Sequence, residues 1–236
     1  MAETFVLVHG AWHGGWCWDR VAPLLREAGH EVHAPTLTGL SERSHLLSPQ
    51  VGLDTHTDDL VRHLDVLGLR EVVLVGHSYA GQLVTAVTDR RPDVIARRVY
   101  LDAFVGSDGE AAADLLPEQV RHHWASSAAD DGFGWLVPPR SLAVLGVSRP
   151  EDLDWLTPKL TAHPWKTYTD PLHLTGAGSE VPAAFVECVD WMRVFRAHAA
   201  RAHARGWPVH ELKTGHEAMV TAPGELAATL LDLVES

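Results

Sequence analysis

Residues 72–81 read Val-Val-Leu-Val-Gly-His-Ser-Tyr-Ala-Gly, an apolar run that stops at a serine set among small residues. Val72 to Val75 are apolar at every position, as expected of a parallel strand covered on both faces. A helix pattern begins at once and runs over about 79–90. The chain must therefore turn sharply at Ser78, which lifts the serine hydroxyl above the sheet edge. Such a turn brings strand and helix backbones very close, so small residues are needed two before and two after the serine. Gly76 and Ala80 supply them, although alanine in the second place departs from strict Gly-x-Ser-x-Gly. Taken alone, the run also suits an ordinary strand-to-helix turn carrying a surface serine.

Two further motifs weigh against that plainer reading. Phe5-Val6-Leu7-Val8 enters a small-residue loop, His9-Gly10-Ala11-Trp12-His13-Gly14-Gly15, and then a helix expected over 16–28. Backbone N–H groups in such a loop can face a developing oxyanion, and its small residues let a carbonyl approach the main chain. Near the other end, Leu212-Lys213-Thr214-Gly215-His216 sets a histidine just past a strand.

Glycine-rich loop first, serine turn next and histidine last: this order resembles the α/β-hydrolase superfamily. Within it the chain is most similar to the small esterases and lyases that include plant methyl-ester esterases, hydroxynitrile lyases and bacterial pyrethroid-hydrolase-like proteins. The resemblance spans essentially the whole chain and is strongest over residues 5–104 and 208–223. It implies an α/β-hydrolase fold, one domain over residues 1–236, with a mostly parallel sheet of about six strands and helices on both faces.

The pattern agrees. Strands are expected at 5–9, 31–35, 71–75, 98–103, 183–189 and 209–213, with helices at 16–28, 55–67, 79–90, 190–205 and 223–234. Leu60, Leu64 and Leu67 share a face of the helix that Gly68 closes, and Pro223 opens the last helix. Residues 106–181 break the alternation and hold Trp124, Trp135, Trp155 and Trp165. A stretch this long does not stay structureless in a compact domain. It reads as a helical cap over the strand ends, where ligands bind in open α/β sheets; the alternative is a structural insertion that forms a homodimer surface. Within it, Ser148-Arg149-Pro150-Glu151 reads as a capping box with Ser148 at the N-cap.

Serine needs an adjacent base to become a nucleophile. The resemblance makes Ser78 the nucleophile and His216 its base, with the amides of Ala11 and Tyr79 as oxyanion donors. The orienting acid is open among three residues. Asp190 follows the strand that carries the acid in most of the family, yet there it reads equally as a helix N-cap. Asp102 ends an otherwise apolar strand, where some lipases and dehalogenase-like members place their acid, and a buried carboxylate needs a partner. Asp108, in a turn, is the third. Asp102 is the preferred choice and Asp190 the second.

A carboxylate nucleophile, as in epoxide hydrolases, is absent. Hydroxynitrile lyases carry a threonine in the glycine-rich loop and a lysine after the histidine, where this chain has Gly10 and Glu217. An anionic Glu217 would repel departing cyanide, so a lyase is disfavoured. The expected function is a serine carboxylesterase acting on a small, largely apolar ester. The alternatives are lactone or carbon–carbon cleavage of a natural-product intermediate on the same triad, and a non-catalytic ligand receptor.

Net charge is −12, which argues against nucleic acid and anionic membranes as partners. No apolar run approaches the ~18 residues of a membrane span, and Met1-Ala2-Glu3-Thr4 leads into a strand without a signal-peptide pattern. Cys17 and Cys188 form no metal or redox spacing, so no metal or cofactor is expected and a reducing cytoplasm is. Of the 16 histidines, only His9, His77 and His216 have positional arguments.

Overall fold

The computed structural model describes residues 2–235. Its elements run β1 (Thr4–Val8), α1 (Ala22–Glu27), β2 (Glu31–His33), α2 (Leu53–Leu67), β3 (Val72–His77), α3 (Ala80–Arg90) and β4 (Ile95–Leu101). Then come α4 (Glu118–Asp130), β5 (Leu136–Val137), α5 (Pro150–Leu156), β6 (His163–Pro164) and α6 (Lys166–Thr169). The chain closes with β7 (Ala183–Cys188), α7 (Arg196–Ala204), β8 (Val209–Leu212), α8 (Ala218–Thr221) and α9 (Pro223–Glu235).

Six strands form one sheet in the order β2-β1-β3-β4-β7-β8, and every neighbouring pair is parallel. Alternation along the strands sends odd and even residues to opposite faces. Val6, Val8, Leu74 and Tyr100 pack with Leu60, Leu64, Leu83 and Ala202 from α2, α3 and α7. Phe5, Leu7, Val73, Val75, Val99 and Leu101 pack with Leu25 of α1 and Leu226, Leu230 and Leu233 of α9. Two cores thus sandwich the sheet, which is why its strands read as unbroken apolar runs. Strand order reverses between β1 and β3, so the loops after these two strands open a crevice at the sheet's C-terminal edge.

Three expected elements differ. The helix expected over 16–28 is a 3-10 turn at Gly15–Trp18 followed by α1, because Pro23 lacks an N–H and is tolerated only in a first turn. The helix expected from 190 begins at Arg196, since Arg193 takes a left-handed φ of 48° and interrupts it. The capping box at Ser148 does not form: Arg149 is the N-cap of α5, and its guanidinium engages the Glu151 carboxylate.

Between β4 and β7 the chain packs across the crevice. Tyr168 meets Tyr79 and Phe104, Thr161 N–H donates to the Trp12 carbonyl at 2.9 Å, and Asp170 accepts the Leu53 amide at 3.1 Å. Among the described residues no helix is long and apolar enough to cross a membrane.

Candidate active site

Ser78 follows β3 directly, with φ of 56°. The turn is held from three sides: Ser78 N–H donates to Leu101 O, and Ser78 O accepts from Gly81 and Phe104 N–H, all at 3.1 Å. Packing explains the small residues around it. A Cβ on Gly76 would lie 2.4 Å from Val84 Cγ2 of α3, and one on Gly81 would lie 2.1 Å from Phe104 O. The tightest approach is therefore at Gly81, three residues after the serine, so alanine at 80 is accommodated.

The glycine-rich loop lies against this turn. A Cβ on Gly10 would come within 2.8 Å of His77 Nδ1 and 3.0 Å of Ser78 Cβ. His9 Nδ1–H donates to Gly10 O at 2.8 Å while its Nε2 accepts Leu37 N–H at 3.1 Å, and burial lowers its pKa to about 3. The amides of Ala11 and Tyr79 have no acceptor among the described residues. His56 braces the second of these: its Nε2–H donates to Thr38 O at 2.9 Å, leaving Nδ1 to accept the Tyr79 hydroxyl at 3.1 Å.

His216 follows β8, and its Nδ1–H donates to Asp102 Oδ2 at 2.7 Å. That tautomer leaves Nε2 with the free lone pair. Asp102 is fully buried at the end of β4, with φ of 43°, and Oδ1 also faces Cys188 N–H at 3.4 Å. Burial pushes its carboxyl above the ordinary range, opposed by the His216 contact. Asp190 is exposed, in the loop after β7 and outside any helix, so its N-cap reading fails. Asp108 is exposed and accepts the Leu174 amide.

Aromatic rings pack around the His216 side chain. Trp191 stacks on the His216 ring at 4.5 Å and Phe195 at 5.3 Å, and His77 lies 4.4 Å away with its Nε2–H on His216 O at 3.0 Å. The segment between β4 and β7 also supports it, because Leu145 O accepts the His216 amide at 2.8 Å and Gly146 abuts Gly215. One ligand-type atom each from His77, His216 and Glu217 falls within 4.8 Å of the others. Within that group His216 Nδ1–H is already committed to Asp102 and His77 Nε2–H to His216 O.

Sequence reasoning missed His13, His56, Trp191 and Phe195. His56 had a signal: it shares the apolar face of α2 with Leu53, Leu60 and Leu64, where a polar side chain needs a partner.

Residues 5–229 match the model of the alpha/beta hydrolase family. A carbendazim hydrolyzing esterase of Nocardioides sp. (strain SG-4G) is 38% identical over 98% of this chain and 99% of its own. Methyl jasmonate esterase 1 of Vitis vinifera is 29% identical over 98% and 97%. Among solved structures, an extracellular alpha/beta-hydrolase from a Paenibacillus species superposes with a TM-score of 0.86, at 22% identity and 98% coverage of both chains. A pyrethroid hydrolase superposes at 0.75, with 21% identity over 100% and 98%; these two share the fold.

Proposed function

This chain belongs to the alpha/beta hydrolase family and is a carboxylic ester hydrolase, and we propose that it cleaves a small, largely apolar methyl ester through a Ser78–His216–Asp102 triad. The observation that carries the triad is the 2.7 Å contact between His216 Nδ1 and Asp102 Oδ2 beside the strained Ser78 turn. The methyl ester is suggested by what the Vitis relative is named for.

In this reading Ser78 Oγ attacks the ester carbonyl as its proton passes to His216 Nε2. Asp102 stabilises the imidazolium across the Nδ1–H bond without taking the proton. The Ala11 and Tyr79 amides receive the oxyanion, each such donor being worth ~2.7–4 kcal/mol in the transition state. His216 then gives that proton to the departing methoxide, which leaves as methanol; a water next gives a proton to His216 as it attacks the acyl carbon, and His216 passes the proton to Ser78 Oγ as the acid is released. Residues 106–181 act as the cap that roofs this chemistry. Buried, unpaired Cys17 and Cys188 support a cytoplasmic location.

The test is a Ser78→Ala variant. It should stay folded, lose covalent labelling by a fluorophosphonate and lose ~10⁴ or more in kcat. Labelling at another residue overturns the nucleophile. Failure of the unaltered enzyme to release chromophore from an activated acetate ester would favour the ligand-receptor reading.

A further inference from the structure

A second histidine–carboxylate contact lies behind the proposed triad. His13 Nε2 and Glu217 Oε2 are 3.4 Å apart, with side chains 2% and 1% exposed. On its other edge His13 Nδ1 is 2.7 Å from the Ala11 carbonyl. A carbonyl only accepts, so Nδ1 carries the hydrogen and a neutral His13 points a bare lone pair at Glu217. An ionised carboxylate also only accepts. Neither atom has a hydrogen-bond partner among the described residues. Two buried acceptors facing each other repel, and leaving both unsatisfied is costly. The contact therefore requires one extra proton between Nε2 and Oε2, whichever atom it sits on.

The surroundings offer that proton no other home. Burial pushes the His9, His77 and His163 imidazoles toward their neutral forms. The Cys17 and Cys188 thiols, which both feel Glu217, are pushed up and stay protonated. His77 commits Nε2–H to His216 O, and His216 commits Nδ1–H to Asp102. Trp16 covers the His13 ring at 5.4 Å.

We propose that Glu217 and His13 form a proton-sharing couple that positions the oxyanion loop. Glu217, next in sequence to the base, holds His13; His13 holds the Ala11 carbonyl and with it the turn that presents the Ala11 amide. The couple works only while protonated, since removing the proton leaves two opposed lone pairs and a buried negative charge against the loop. This role rests on Ala11 being an oxyanion donor.

Glu217→Gln is the decisive variant, because an amide N–H can donate to the lone pair of His13 Nε2. It should keep kcat within ~10-fold of the unaltered enzyme. Glu217→Ala, which leaves Nε2 without a partner, should lower kcat by ~10–100-fold with KM little changed. His13→Asn, which still donates to Ala11 O, should lose less than Glu217→Ala and covers a folding failure at 217. Equal losses in Glu217→Gln and Glu217→Ala, or a loss that falls on KM, overturn the couple. Fluorophosphonate labelling of Ser78 separates the failures: labelling with equal kcat in the two Glu217 variants sinks the couple alone, and no labelling sinks the reading beneath it.

Discussion

The Ser78 amide donates to the carbonyl of Leu101 at 3.1 Å, and Leu101 immediately precedes Asp102. The turn carrying the proposed nucleophile and the turn carrying its acid are thus tied to each other at the ends of neighbouring strands. Both residues adopt left-handed backbone, φ of 56° and 43°, and the Asp102 amide is anchored on Val186 O at 2.7 Å.

From this follows the first prediction. Asp102→Asn should lower kcat by ~10³–10⁴, because an amide on Nδ1 favours the wrong tautomer of His216. Asp190→Asn, in an exposed loop, should change it by less than about threefold. Steady-state kinetics of both variants decide the matter, and the reverse ranking would move the acid to the loop after β7.

Gly81 provides a prediction on stability. An alanine there would set its Cβ 2.1 Å from the Phe104 carbonyl, which itself follows the acid turn. Backbone must shift, at a cost of about 3 kcal/mol or more. Gly81→Ala should melt well below the unaltered protein and lose activity, whereas Ala80→Gly should retain both. Equal melting temperatures for the two would contradict the tight strand–helix approach.

The sheet, its order of elements and the serine turn were legible because buried parallel strands leave continuous apolar runs and the turn tolerates only small residues. Ser78 and His216 stood at motif positions. Asp102 was legible only as an anomaly, a carboxylate ending an apolar strand, and the sequence offered Asp190 and Asp108 beside it. The couple of His13 and Glu217 left no pattern, since the two are far apart in sequence and meet only when β1 and β8 are both in the sheet. The end of the loop after β7 was misjudged for a similar reason: Trp191 stacks on His216 and the left-handed Arg193 ends the loop, both tertiary effects.

Stability should fall in acid. Burial lowers the pKa of His56 and His198 to about 4 and of His9 to about 3, while the unfolded chain titrates near the ordinary value of about 6.5. A histidine whose folded pKa is depressed contributes stability that is complete above the unfolded pKa and is lost as pH falls toward the folded one. The window is therefore roughly pH 6.5 down to 4, and His56 alone should give up about 2 kcal/mol by pH 5. Denaturant melts at pH 7.5 and pH 5 should show the drop, and His56→Gln should lessen it. A stability that is flat across this window would mean that these rings are protonated in the fold.

The tryptophans of residues 106–181 divide into two kinds of contact. Trp124 meets Trp12 of the glycine-rich loop at 5.6 Å and Tyr168 at 5.0 Å, which puts it beside the proposed oxyanion donors. Trp155 instead packs on Trp16 at 5.2 Å, with Lys159 Nζ 3.7 Å and the Arg20 guanidinium 4.9 Å from its ring. That is an anchor built of cation–π contacts, each worth ~0.5–2 kcal/mol. Trp124→Ala should therefore raise KM and reorder preference between short and bulky esters with a small change in melting temperature. Trp155→Ala should lower the melting temperature and leave that preference alone. Trp165, stacked on Tyr168 at 5.7 Å, and Trp135, half-buried with its carbonyl on the Trp165 amide, should behave as Trp155 does. If all four variants lose stability to the same degree and keep the same ester ranking, the cap only braces the sheet, and substrate choice lies in the loop over residues 36–49.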